Sequence, residues 1–254
     1  AKPILEQHEI PATAFIASDY IGGQATFWWD ELEAIFLDKQ SLPQKLRLVV
    51  DGQRYSWDFA EDSLGASNEE KPDTWHVGCD TVPSRRHRAY QTLHQVLYTR
   101  ASEEREALLA KLRAWSGLNP HTRQSHRTMT QEELSRLAAS PLIEIGAHTA
   151  THPALSMLTP QQQGIEISSG KSRLEQMIGR ETTSFAYPYG SLTSFNDTSS
   201  KLVREAGFAL ACTTFCDSVR LGCDTYQLPR LPARNWNGDD FERYLSGWMT
   251  HQVN

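Results

Sequence analysis

Nine histidines are spread through the 254-residue sequence, and one pair stands out by its setting. Gly146-Ala147-His148-Thr149-Ala150-Thr151-His152-Pro153 places two imidazoles four residues apart on a small-residue loop, directly after an apolar run that reads as a strand. Imidazole nitrogen is a common ligand of divalent metals, zinc above all. If the chain turns helically here, residues four apart share a face and both rings can reach one ion. Among nine histidines such a spacing arises by chance roughly 0.3 times, so the weight falls on position. In parallel α/β folds, chemistry gathers at the carboxyl ends of strands. A zinc peptidase needs glutamate directly after the first histidine; Thr149 stands there, which argues against that chemistry.

Two further runs could contribute groups. Phe185-Ala186-Tyr187-Pro188-Tyr189-Gly190 ends the next apolar segment. Proline fixes the backbone and glycine permits a tight turn, so the Tyr189 amide could be held toward a neighbouring site. The plainer alternative is a strand-to-loop turn with aromatic packing. Leu228-Pro229-Arg230 carries an arginine that is either a surface charge or a bidentate partner for a carboxylate. Asp19, after the first apolar run, is the carboxylate within the chain best placed by sequence to complete a metal site.

The elements that must position these groups follow from pattern. Pro3–His8 reads as the last turns of a helix, which suggests that residues precede Ala1; Ile10–Ala17 reads as a buried strand. Phe27–Lys39 has Trp28, Leu32, Ile35 and Phe36 at helical spacing. Asp51-Gly52 separates two alternating runs within Leu46–Phe59, a hairpin signal. Gly65–Thr81 is polar and reads as an exposed loop, followed by helices near Ser84–Arg100 and Ser102–Trp115. Residues 27–127 therefore read as an insertion within one domain spanning 1–254. Beyond it, Thr130-Gln131-Glu132-Glu133 opens a helix with a capping box. Leu142–Gly146, Thr183–Tyr187 and Phe208–Thr213 are strands. Between them run helices from Thr159-Pro160 to Gly179 and from Asn196 to Ala206. Strands alternating with helices imply a mainly parallel sheet, open or closed into a barrel.

Composition bounds the partners. The net charge of −6 leaves no positive field for nucleic acid or anionic lipid, and suits a neutral substrate. No apolar run approaches the roughly 20 residues that span a bilayer. The sequence starts Ala1-Lys2-Pro3 without a signal peptide, and the compartment, cytoplasm or cell envelope, stays open. The four cysteines lack paired CxxC spacing and read as mostly buried thiols.

Taken in order, these pieces resemble the polysaccharide deacetylases, the NodB-homology superfamily of carbohydrate esterase family 4. His148-Thr149-Ala150-Thr151-His152 matches the family's second motif, H-[ST]-x-x-H, and Tyr187-Pro188-Tyr189-Gly190 matches its proline-aromatic third motif. Ala1–Ala17 resembles the segment after the family's first motif, T-F-D-D-G, and the Phe27–Leu32 run with its insertion resembles one branch of the family. The resemblance is strongest over residues 1–38 and 129–245. It implies an α/β fold, a distorted (β/α) barrel lacking its first strand and carrying a helical and hairpin insertion. It implies metal-dependent removal of N-acetyl groups from N-acetylhexosamine units of an exopolysaccharide, other glycan or glycan precursor. It implies His148 and His152 as ligands of a divalent cation, zinc with cobalt or nickel as alternatives. Tyr187, Pro188 and Tyr189 would line the substrate, the Tyr189 amide would stabilise the oxyanion, and Arg230 would orient the base.

The first motif, with its base and third-ligand aspartates, is absent from the sequence. Ala186 stands where the third motif usually has arginine. No L-x-H motif supplies the general acid; His251, in what reads as a terminal helix, is the only late histidine. The alternative reading is a non-catalytic carbohydrate-binding or scaffold domain, whose seven tryptophans either stack on sugars or pack in the core.

Overall fold

The computed structural model describes residues 1–22, 26–38, 41–60, 75–118 and 124–250, excluding the side chains of 124 and 250. Most of the expected 65–81 loop, and His251, lie outside the described residues. The chain divides into two compact units, one of Ala1–Ser18 with Ser135–Asn254 and one of Asp19–Leu134.

The first unit begins with helix α1 (Lys2–Gln7) and strand β1 (Ala12–Ile16). The second unit starts with helix α2 (Trp28–Glu33), extended by a π-helical turn at Ala34–Asp38. Trp28, Leu32, Ile35 and Phe36 are all buried there, as their spacing predicts. Strands β2 (Lys45–Val50) and β3 (Gln53–Asp58) form the expected hairpin. Asp51 and Gly52 both take positive φ, 52° and 77°, as a two-residue turn matched to strand twist requires. Helix α3 (Arg85–Tyr98) is capped by Ser84 and helix α4 (Ser102–Ser116) ends at left-handed Gly117. Their leucines share a core with Trp28 and Phe36, which accounts for Trp28 as packing. The side chain of Glu31, nearly buried, pairs with Arg113 at 2.9 Å.

Helix α5 (Gln131–Ala138) opens with the Thr130–Glu133 capping box: the Glu133 amide donates to Thr130 Oγ1 and the Thr130 amide to Glu133 Oε2. The first unit then continues with β4 (Ile143–Ala147), α6 (Pro160–Ile178), β5 (Ser184–Ala186), α7 (Asp197–Glu205), β6 (Leu210–Cys212) and α8 (Gly238–Thr250). Strand order is β1-β4-β5-β6, every pair parallel. One face carries Ile143, Ile145, Ala147, Phe185, Tyr187 and Ala211, all buried. Helix α6 packs on β4, with α7 beside it. Thr159 caps α6 reciprocally with Gln162, and left-handed Gly179 ends it.

The α/β class with a parallel sheet is thus present. The closed barrel is not: among the described residues the sheet is open, with β1 at one edge and a single parallel bridge, Cys212–Leu228, beyond β6. Four strands of three to five residues are too few to close a barrel.

Candidate metal centre

His148 leaves the carboxyl end of β4, where its amide continues the ladder by donating to Ile16 O at 3.0 Å. Its Nδ1 lies 2.6 Å from the carbonyl of Ala186 at the end of β5. A carbonyl only accepts, so Nδ1 carries the proton and Nε2 of the neutral ring keeps its lone pair. The surrounding protein strips water from the ring, and with a smaller contribution from the Arg230 charge this holds its pKa down at about 4 against the Ala186 hydrogen bond. A neutral imidazole with one nitrogen tied to a carbonyl is the form that ligates metal.

The His152 ring lies 4.6 Å from that of His148, centroid to centroid, at 74°. The expected helical turn between them is absent. Thr149 and His152 instead adopt φ of 64° and 56°, and the rings meet across a tight irregular turn. Positive φ is unfavourable for any side chain and most of all for a β-branched threonine. Three contacts hold the turn: the His152 amide donates to Thr149 Oγ1 at 3.0 Å, the Ser18 amide to Thr149 O at 3.2 Å, and the Glu166 carboxylate of α6 accepts from Ala150 and Thr151.

Beside the Ala186 carbonyl, the third motif brings Tyr189 against the pair, its ring 4.8 Å from that of His152. Its φ is 61°, and the Gly190 amide donates back to Pro188 O at 2.7 Å, so the three residues form one tight turn. Thr214 fixes that turn through Tyr189 O at 2.8 Å and Gly190 O at 3.0 Å. A Cβ on Gly190 would come 2.7 Å from the Thr214 amide nitrogen, so glycine is required.

Tyr187, expected at the substrate, is instead a core residue. It is 1% exposed, stacks on Phe195 at 4.1 Å, and donates its hydroxyl to Tyr226 O and Ser200 Oγ. Strand alternation explains the difference, since Phe185 and Tyr187 share the face beneath α6 and α7. Pro188 is buried as well, and acts through the backbone it stiffens rather than as a contact surface.

Arg230 is brought to the same place. Its Nε donates to Thr213 O at 2.7 Å, and its guanidinium lies over the Phe15 ring, 5.6 Å from the centroid. Phe15 stands opposite Gly146 in the β1–β4 register. A Cβ on Gly146 would lie 2.5 Å from the Phe15 ring, so the glycine of the histidine motif makes room for the platform under Arg230. Among the described residues Arg230 has no carboxylate partner.

The histidine pair fits a metal as two of the three protein ligands of a catalytic site. Among the described residues no third His, Cys, Asp or Glu donor joins it. Asp19, weighed as a completing ligand, belongs to the second unit and is itself exposed, on the turn Ser18–Tyr20. That unit has a three-donor cluster of its own, the half-buried Asp30, Glu33 and His126, with donor atoms within 4.8 Å of one another.

Sequence reasoning passed over Glu166, Gly170 and Phe15. The available signals were a lone acid in the first half of α6, after three glutamines, and a glycine deep in the helix interior, where it costs about 1 kcal/mol relative to alanine.

Residues 111–211 match the family model described as polysaccharide deacetylase. YxkH of Bacillus subtilis (strain 168), whose name places it among the polysaccharide deacetylases, is 33% identical over 118 residues. The match covers 46% of this chain and 41% of YxkH, so the chain spans less than half the length of that relative. Among solved structures, the Streptococcus pyogenes deacetylase PplD, in complex with acetate, aligns at a TM-score of 0.42 and 21% identity, over 47% of this chain and 51% of PplD. IcaB from Ammonifex degensii aligns at 0.40 and 25%, over 48% of this chain and 53% of IcaB.

Proposed function

We propose that this chain, whose residues 111–211 match the polysaccharide deacetylase family model, takes part in hydrolysing N-acetyl groups from N-acetylhexosamine units of a polysaccharide or glycan precursor. His148 and His152 would hold a divalent cation, zinc first, with cobalt or nickel as alternatives. One observation carries the reading. A neutral His148, its Nδ1–H bound to Ala186 O and its Nε2 unprotonated, stands with its ring 4.6 Å from that of His152 at the carboxyl end of a parallel strand.

A cation bound there supplies Lewis-acid polarisation of the amide carbonyl and acidifies a water. The chain's own residues do the rest. His148 stays neutral near neutral pH because burial opposes its protonation, which leaves its Nε2 lone pair available. Tyr189 stands beside His152 on a turn whose peptides are fixed by Thr214, which suits its amide to stabilise a developing oxyanion. Its half-exposed ring is the surface left for a sugar to pack on. Arg230, held by Thr213 and Phe15, has its terminal nitrogens open to a carboxylate, a geometry suited to orienting a general base. The negative net charge suits a neutral N-acetylated glycan.

The test is acetate release from N-acetylglucosamine oligomers with zinc or cobalt supplied, beside elemental analysis of bound metal. Stoichiometric metal and acetate release, both lost in His148→Ala, are expected. Metal content that His148→Ala leaves unchanged would overturn the reading.

A further inference from the structure

We propose that Glu166 is the positioning residue of the histidine pair, an anion on α6 that holds the His148–His152 turn in a form it would not keep unaided. The proposal rests on the metal reading of that pair.

The turn contains two non-glycine residues at positive φ, Thr149 at 64° and His152 at 56°. Such conformations persist only where the surroundings over-determine them. Glu166 supplies most of that determination from a separate element. Its Oε2 accepts from the Ala150 amide at 3.1 Å and the Thr151 amide at 2.8 Å, and its Oε1 accepts the Thr151 hydroxyl at 2.6 Å. The Ala150 amide is shared with the backbone carbonyl of Glu166 itself, 3.1 Å away. Every residue between the two histidines is thereby fixed, since Thr149 is already bound through O and Oγ1.

Helix geometry makes the arrangement possible. Gly170 follows Glu166 by four residues, on the same face of α6. With no side chain it lets the helix approach until a Cβ would stand 2.6 Å from Thr149 C and 2.7 Å from Ala150 N. Only at that approach does a glutamate from the preceding turn reach both amides. The role differs from that of the Ala186 carbonyl, which sets the tautomer of one ring; Glu166 sets where the two rings stand relative to each other.

Charge and shape separate in two variants. Glu166→Gln keeps an oxygen for the two amides and a donor for the Thr151 hydroxyl, losing the charge alone. Glu166→Ala loses every side-chain contact and keeps only the backbone carbonyl, which still accepts from the Ala150 amide. Glu175, on the same helix, accepts from the Thr182 amide at 2.9 Å and serves as the control for general damage to α6.

Two readouts decide. In metal-free protein, Glu166→Ala is expected to speed hydrogen exchange at the Thr151 amide at least tenfold, with the Ala150 amide, still held by the residue-166 carbonyl, changing less and the α6 amides unchanged. In cobalt titration it is expected to weaken affinity about 10- to 100-fold, the usual effect of losing an outer partner of a metal ligand. Glu166→Gln should recover most of both, and Glu175→Ala should alter neither. Wild-type exchange at Thr151 in Glu166→Ala, or wild-type cobalt affinity, overturns the proposal. If wild type and His148→Ala alike fail to bind cobalt, the metal reading and the positioning role built on it both fall; exchange then reports only whether Glu166 holds the turn.

Discussion

Gly164 and Gly170 offer a paired test of how the histidine turn is seated, because intrinsic propensity makes the same forecast for both. Each lies inside α6, where glycine costs about 1 kcal/mol relative to alanine. On propensity alone either Gly→Ala change should stabilise. The surroundings separate them. A Cβ at Gly164 would meet only Leu202 Cδ2, at 3.8 Å, an ordinary contact with a flexible side chain. A Cβ at Gly170 would meet Thr149 C, Ala150 N and Thr149 O at 2.6, 2.7 and 2.8 Å. Those are backbone atoms of a turn tied to β1 through Ser18 and to Glu166, so relief requires the turn to move by roughly half an ångström. Overpacking of this kind costs about 1–3 kcal/mol, which outweighs the propensity gain. Gly164→Ala should stabilise by about 0.5–1 kcal/mol, whereas Gly170→Ala should destabilise by about 1–2 kcal/mol and weaken cobalt binding. Thermal unfolding of the metal-free proteins reads the difference as shifts of opposite sign, a few degrees each for a chain of this size. Equal stabilisation by both changes, with cobalt affinity unaltered in Gly170→Ala, would refute the close approach of helix and turn.

Two further outcomes follow from individual side chains. Tyr187→Phe removes a hydroxyl that donates to Tyr226 O and Ser200 Oγ; a cost of about 1–2 kcal/mol in urea unfolding is expected, with metal content and acetate release unchanged, and a loss of activity at unchanged stability would return Tyr187 to the substrate. His94, its ring tilted at 47° against Trp28 with centroids 4.6 Å apart, is held at a pKa of about 4 by burial. Its ordinary value is 6.5, so between these values the unfolded chain binds the extra proton; its contribution to stability is complete above pH 6.5 and falls as pH drops toward 4. His94→Phe should flatten that part of the urea-midpoint profile, and an unchanged slope from pH 7 to 4 would assign the acid sensitivity elsewhere.

What could be read from the sequence, and what could not, divides along the range of the interaction. The hairpin at Asp51-Gly52, the Thr130–Glu133 capping box and the proline-to-glycine span of α6 are local, and each follows from the conformations its own residues tolerate. The histidines were visible for a related reason: the end of a strand marks a position where side chains converge, whatever the fold beyond it. Their arrangement was not visible. Helical spacing was the natural way for residues four apart to meet, yet the turn that joins them is left-handed at Thr149 and His152. It is stable because of a carboxylate fourteen residues on from His152 and a glycine four further along. Tyr187 failed for the converse reason. The proline-aromatic run is one motif in sequence, but strand alternation sends Tyr187 into the core and leaves Tyr189, past the strand end, beside His152. The same logic links Gly146 to Arg230. Gly146 leaves room for Phe15, Phe15 carries the guanidinium, and Thr213 O fixes it, so a residue 84 positions away is positioned by the absence of a side chain. The site is therefore specified as much by where side chains are missing, at Gly146, Gly170 and Gly190, as by the two imidazoles. A pattern search for reactive residues has no purchase on those three positions.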